Sequence, residues 1–232
     1  MSLSVAYIIF NENNPIFKAS LESVLPIADE IIIIDGHSTD GTLDLIDSFH
    51  SSKIQVISKK YRNELKEANG MQRNEYLKYV TSDWVLVLDA DEVLGDNGFL
   101  LEKLGEEKGK DLYDVHMEHF VWNLSLVDSS REHHFVMRRF FRNVPGLKYR
   151  EAEHGILSGS NNLGGITEVT IYHYGYTKGI WDVLKKYNTH KTKSDVHSSD
   201  FLEGWKTGHL FGTYPVRPFK GEHPAPIKEL VE

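Results

Sequence analysis

The sequence contains no cysteine. That removes disulfides, thiolate nucleophiles and cysteine-based zinc sites, and it is compatible with a reducing compartment. No apolar run approaches the roughly 18–20 residues of a membrane-spanning helix. The early apolar stretch VAYIIF is short, follows no Lys or Arg, and is closed by Asn11 and Glu12, so it reads as a strand and not as a secretory signal. Positive charge is scarce: 26 Lys and Arg face 34 Asp and Glu, for a net charge of -8. Such a chain lacks the basic face that non-specific nucleic-acid binding needs, although an anionic ligand needs only a few local donors. Neither the G-x-G-x-x-G fingerprint nor the P-loop pattern occurs, so dinucleotide-binding and P-loop readings lack their motifs. The expectation is a cytoplasmic protein with no transmembrane segment, compatible with peripheral membrane association through a partner or substrate.

What is present is an alternation of strand and helix signals. With 232 residues, 40% hydrophobic and 26% charged, the chain can bury a sizeable core. LSVAYIIF (3–10) reads as a strand, and Pro15 opens a helix at a position where proline is tolerated. EIIIID (30–35) is apolar on both faces, as in a buried parallel strand. Residues 41–49 follow as a helix, 53–58 as a strand, 64–80 as a helix carrying Arg73 and Asn74, and 83–89 as a fourth strand. This order predicts a parallel sheet covered by helices on both faces. The later chain differs. Residues 111–121 and 132–142 read as antiparallel strands rich in aromatics and His, 158–165 as a Gly/Ser/Asn loop, 168–176 as a strand and 177–193 as a helix. The tail from Tyr214, holding four of the seven prolines, reads as extended. The expected organisation is one unit over 1–232, with a change of character after about residue 95.

In open α/β sheets, ligands bind beyond the carboxyl ends of the strands. Three predicted strands end in polar clusters: Asn11-Glu12, Asp35 to Asp40, and Asp89-Ala90-Asp91-Glu92. Two carboxylates spaced as Asp89 and Asp91 in an extended turn can address one hard divalent cation, directly or through water. Magnesium or manganese so held can bridge phosphates and stabilise a leaving diphosphate. The plainer reading is a solvated strand end. The apolar strand before it and the two polar ends beside it favour the functional one. In DGHSTDGT (35–42), Asp35 can accept from base or ribose groups, while Ser38, Thr39 or Asp40 can cap the next helix.

Four segments in order resemble family 2 glycosyltransferases with the GT-A fold: LSVAYIIFNENN, LESVLPIADEIIIIDGHSTDGTLDLI, Gln72-Arg73-Asn74, and WVLVLDADEVL. The nearest flavour resembles the lipopolysaccharide-core glucosyltransferase branch. The resemblance covers residues 3–94 best. It implies an α/β GT-A fold, with a mostly parallel, Rossmann-like central sheet flanked by helices and a smaller antiparallel acceptor-side portion. Residues 1–95 would bind the nucleotide sugar, and 96–232 the acceptor. It further implies an inverting, metal-dependent transfer of a sugar from a nucleoside diphosphate, UDP by default, to a hydroxyl of a glycan or glycolipid. Guanosine and thymidine donors stay open.

By the same resemblance, Glu12 shapes the nucleotide pocket and Asp35 meets the nucleobase. Arg73 lies on the donor side or forms a structural ion pair. Asp89 and Asp91 are the ribose and metal pair, with Asp91 ligating Mn2+ or Mg2+. FVMRRFFRN (135–143) resembles the family's arginine-rich strand, and IYHYGYTKGIWDVLKKY (171–187) its His-Tyr stretch. His173 would then be a further metal ligand or a diphosphate contact. The family's catalytic His-Glu falls on YREAEHGIL (149–157), where His154 is followed by Gly155 instead of Glu. Glu153 is the candidate base, with Glu151 nearby. His116, His119, Phe120, Trp122, His133, His134 and Phe135 read as core more than as an acceptor pocket, Trp122 being the one to test. Two rivals stand beside this reading. One is a sugar-nucleotide or glycan-binding module that has lost its base. The other is a sugar-1-phosphate nucleotidyltransferase, which would want a Gly-rich basic loop where IIFNENNPIFKAS has none.

Overall fold

The structure, a computed structural model, describes residues 1–61, 68–121, 123–129, 136–150, 157–177 and 216–231. Four parallel strands open the chain: β1 (Leu3–Ile9), β2 (Glu30–Asp35), β3 (Ile54–Ser58) and β4 (Trp84–Val87). Between them run α1 (Pro15–Val24), α2 (Thr42–Asp47) and α3 (Ala68–Tyr76). These elements match the predicted ones to within a few residues at their ends.

The apolar runs have a direct packing reason. In β2, Ile31 and Ile33 enter one core with Phe17 and Leu21 of α1, while Ile32 and Ile34 enter another with Tyr76 of α3. A strand buried on both faces has no position for a polar side chain until it ends. At the start of α1, Pro15 holds the first helical turn, and Asn14 Oδ1 accepts from the Phe17 N–H at 3.0 Å.

The later strands are β5 (Glu92–Leu94), β6 (Leu112–Val121), β7 (Leu126–Asp128), β8 (Val136–Arg142), β9 (Lys148–Tyr149), β10 (Leu157–Ser158), β11 (Leu163–Tyr176) and β12 (Val216–Pro218). A 3-10 turn (Asp96–Phe99) leads into α4 (Leu100–Gly105), and α5 (Ala225–Val231) lies near the C-terminus. The main sheet runs β12-β7-β6-β8-β4-β1-β2-β3, with β11 pairing β5 and β6. Its β3-β2-β1-β4 section is parallel, and β8 joins β4 antiparallel. β6 and β8 pair antiparallel, as predicted.

Two expectations are corrected. The stretch 158–165 is not all loop, because β11 already begins at Leu163. Its Gly164 and Gly165 hide the strand from a propensity reading; a Cβ on Gly164 would collide with the Tyr113 ring, 2.0 Å away. The tail is not simply extended either. Ile227 of α5 is fully buried with Phe120 and Tyr174, and Pro226, the last proline, sits in the first turn of that helix, where proline is tolerated. The predicted helix 177–193 lies outside the described residues from 178 on, as does the first part of 64–80.

Candidate active site at the carboxyl ends of the strands

Register brings the polar strand ends together. β1 and β2 run in step from Ser4 and Glu30 to Ile9 and Asp35, and Leu3 of β1 faces Trp84 of β4. Parallel strands in step release their loops at one edge. There the β1–α1 and β2–α2 loops are latched to each other. The Asn11 N–H donates to Ser38 Oγ at 2.9 Å, and the Thr39 N–H donates to Asn11 Oδ1 at 2.8 Å. The Asn13 N–H donates to Asp40 Oδ2 at 3.0 Å, and the Glu12 N–H to Thr42 Oγ1 at 2.8 Å. Asn11 and His37 both adopt positive φ, 58° and 71°, a conformation that Asn and His tolerate better than most residues.

Asp35 is buried at the end of β2. Its carboxylate accepts from the backbone N–H groups of His37 at 3.0 Å and Ser38 at 3.1 Å, shaping its own turn. Glu12 Oε2 accepts from Asn14 Nδ2 at 3.0 Å, beside that turn.

The turn after β4 carries the densest charge. Asp89 accepts from Arg73 of α3 through one oxygen at 2.5 Å, and from Arg139 of β8 through the other at 2.8 Å. Arg139 also donates to Glu92, whose second oxygen accepts from the Asp89 N–H at 2.8 Å. Glu92, Arg139 and Arg73 are all buried. Burial acts most strongly against the charge of both arginines, but Asp89, joined by Tyr76 and Tyr149 at Arg73 and by Glu92 at Arg139, outweighs it and keeps them ionised. Burial likewise works to raise Asp89, yet the two guanidinium groups hold its carboxyl far below the usual carboxylate range. Glu92 behaves oppositely. Burial pushes it up to about 7; Arg139 opposes the rise, and Asp89 adds to it.

Arg139 was not among the predicted site residues, and Glu92 entered as part of the acidic strand end without a role of its own. The signal for Arg139 lay in the arginine-rich strand, and its partner follows from register. β8 runs backwards along β4, with Trp84 opposite Arg142 and Leu86 opposite Phe140. One more step along β8 delivers Arg139 to the end of β4.

Asp91 sits two residues beyond Asp89. Its backbone carbonyl accepts from the Tyr174 N–H of β11 at 2.8 Å. Its Oδ1 lies 3.5 Å from Nε2 of His173, also on β11. A carboxylate oxygen and an imidazole nitrogen at this separation, both partly exposed, fit two neighbouring ligands of one small cation. Oxygen and nitrogen donors suit manganese, and magnesium takes few protein ligands because water and phosphate complete its shell. Among the described residues, no group of three or more His, Asp or Glu side chains is arranged to hold a metal ion by itself. Asp89, Asp91, Arg73 and His173 therefore meet in one place, with Asp35 and Glu12 on the neighbouring strand ends. Glu153, Glu151, His154 and Trp122 lie outside the described residues.

The raised Glu92 pKa makes a stability prediction. In the unfolded chain Glu92 titrates near 4.5 and in the folded one near 7, so the folded state holds the extra proton between these values. The contribution is full below pH 4.5 and is lost as pH rises towards 7, on the order of 3 kcal/mol in all. Urea unfolding of wild type should show this loss between pH 5 and 8. In Glu92→Gln that part of the profile should be flatter by the same amount, and an identical slope would show that Glu92 does not titrate there.

The Glycosyl transferase family 2 profile matches residues 4–164. The prophage-derived glycosyltransferase SunS of Bacillus subtilis is 27% identical over 184 residues, covering 75% of this chain and 40% of its own. The chain thus spans about 40% of the length of the curated relative it matches. Among solved structures, S. aureus TarS 1-349 superposes with a TM-score of 0.56 at 16% identity, covering 83% of this chain and 64% of that one. The mannosyltransferase PcManGT of Pyrobaculum calidifontis superposes with a TM-score of 0.53 at 12% identity, covering 99% and 67%. These likenesses are of fold, a central α/β sheet of the GT-A type, and they do not single out the lipopolysaccharide-core branch. The profile match spans well over half of the chain, which therefore belongs to glycosyl transferase family 2, a family of glycosyltransferases.

Proposed function

We propose that the chain is an inverting, divalent-metal-dependent glycosyltransferase. It would move a sugar from a nucleoside diphosphate, UDP by default, to a hydroxyl of a glycan or glycolipid. The observation that carries this reading is the Asp91–His173 pair, held at the end of β4 beside Asp89 and next to the latched β1 and β2 loops. Support comes from the neighbours: a TarS structure is in complex with UDP, and PcManGT is in complex with GDP-Man and Mn2+.

Asp91 and His173 would hold Mn2+ or Mg2+, which when bound would neutralise the donor diphosphate and the charge developing as it leaves. Asp35 would meet the nucleobase, since a carboxylate keeps acceptor capacity beyond the two N–H groups it already receives. Glu12 would border the nucleotide. Asp89 would address the ribose while Arg73 and Arg139 fix it. An acceptor hydroxyl would attack the anomeric carbon from the face opposite the diphosphate. Its proton would pass to a carboxylate, for which Glu153 is proposed. The N-terminal half up to residue 95 would then serve the donor, and the remainder the acceptor.

Two measurements test this. Calorimetric titration with UDP, GDP and dTDP, with manganese and then with EDTA, should show binding of one nucleotide that needs the metal. No binding under any condition would overturn the reading. In the second, Glu153→Gln should lower sugar transfer by roughly 10²–10⁴-fold while leaving nucleotide binding unchanged. Transfer at the wild-type rate would move the base elsewhere. Metal-dependent binding with neither transfer nor donor hydrolysis would favour a binding module.

A further inference from the structure

His173 has a neighbour with no role so far. β11 lies between β5 and β6, and His173 stands directly opposite His119 of β6. Residues directly opposite on paired strands share a face, so the two rings meet. Their Nδ1 atoms are 3.0 Å apart, and the ring centroids 4.7 Å apart at 60°. The other ring nitrogen of His173, Nε2, is the one 3.5 Å from Asp91 Oδ1. Each His173 nitrogen thus has its own direction: Nε2 towards Asp91, Nδ1 towards His119.

Two neutral imidazoles in nitrogen-to-nitrogen contact share one proton between them, one ring donating and the other accepting. A nitrogen that ligates a cation must present a lone pair, so in a neutral ring the proton sits on the other nitrogen. That other nitrogen needs an acceptor, because orientation and basicity of a ligating histidine depend on what its free N–H meets. Position on the strand alone does not fix an imidazole about its side-chain torsions. A hydrogen bond to a partner on the adjacent strand does.

We propose that His119 is a positioning residue for this site: its Nδ1 accepts the Nδ1–H of His173 and turns the Nε2 lone pair of His173 towards Asp91 and the cation. The inference rests on the reading of Asp91 and His173 as cation ligands.

The test compares wild type with His119→Leu, His119→Asn and His173→Ala. Manganese affinity in the presence of UDP is read from the free-ion paramagnetic resonance signal, with no turnover involved. His119→Leu keeps the bulk and removes the acceptor, and it should lose roughly 10–100-fold in manganese affinity. His119→Asn supplies an amide oxygen on Cγ in place of Nδ1 and should recover most of that loss. His173→Ala should be at least as impaired as His119→Leu. Ring-nitrogen NMR of the wild-type protein with UDP and diamagnetic Mg2+ should place the His119 proton on Nε2 and leave Nδ1 as acceptor. This spectrum decides the matter if His119→Leu does not fold. Loss in His173→Ala with full affinity in His119→Leu, or a His119 proton on Nδ1, overturns this inference alone. No manganese binding by wild type, or none lost in His173→Ala, overturns the cation reading and the inference with it.

Discussion

Asp91→Ala should bind no nucleoside diphosphate more tightly with manganese than with EDTA, a loss of at least ~100-fold in metal-dependent affinity. Asp91 contributes the only carboxylate that faces His173 within ion-pair distance among the described residues. Without it, an imidazole alone would have to hold a hard cation that prefers oxygen. The fold should survive. Asp91 is held by strand hydrogen bonding through its backbone carbonyl, which alanine retains, and its carboxylate is a like charge beside Asp89 and Glu92, a repulsion that alanine removes. The checks are calorimetry with the preferred nucleotide at several manganese concentrations, and a urea midpoint near wild type. Undiminished metal-dependent binding would return the acids after β4 to a solvated strand end.

The second large effect concerns stability. Arg139→Met should destabilise the protein by about 3–5 kcal/mol at neutral pH, the usual cost of removing one partner from a buried ion pair. Arg139 is the shared donor of Asp89 and Glu92, and among the described residues only Asp89 has a second arginine to fall back on. Glu92 would be left buried with the Asp89 N–H, beside the Asp89 and Asp91 carboxylates, and would take up a proton. Adding Glu92→Gln to Arg139→Met should restore part of the loss, because the amide is neutral without taking up a proton. Urea denaturation of the two single variants and the double one gives the coupling directly. A cost below about 1 kcal/mol would place the pair with exposed ion pairs instead.

Much of the first half is legible in the chain itself, for a physical reason. A parallel strand covered on both faces must be apolar at every position, so EIIIID and WVLVL announce both their conformation and their burial. The polar residues that end such strands then mark the edge where a ligand can enter. What could not be read depends on partners far away in sequence. Arg139 meets Asp89 fifty positions back because β8 runs antiparallel to β4, and no local pattern encodes that register. His119 and His173 are separated by 54 positions and meet only because β11 lies beside β6. Aromatic and His-rich strands also read ambiguously. His119 borders the site, whereas Phe120, its immediate neighbour, faces the other side and packs on Tyr174 and Phe219.

The mounting of Asp91 has a bearing on how the protein breathes. The turn from Asp89 to Asp91 lies between β4, paired on both sides by β1 and β8, and β5, paired with β11. The Tyr174 amide proton is engaged at the Asp91 carbonyl, and the Leu88 amide proton at the Ala6 carbonyl of β1. The first bond can open when the short strand β5, paired with β11 alone, leaves the sheet, whereas the second needs β4 parted from β1 in its middle. The Leu88 amide hydrogen should therefore exchange with solvent on the timescale of global unfolding, and the Tyr174 amide hydrogen sooner. The Asp89 side of the turn would then belong to the slowest-opening cooperative unit of the molecule. Whatever flexibility a catalytic cycle demands would be drawn from other segments.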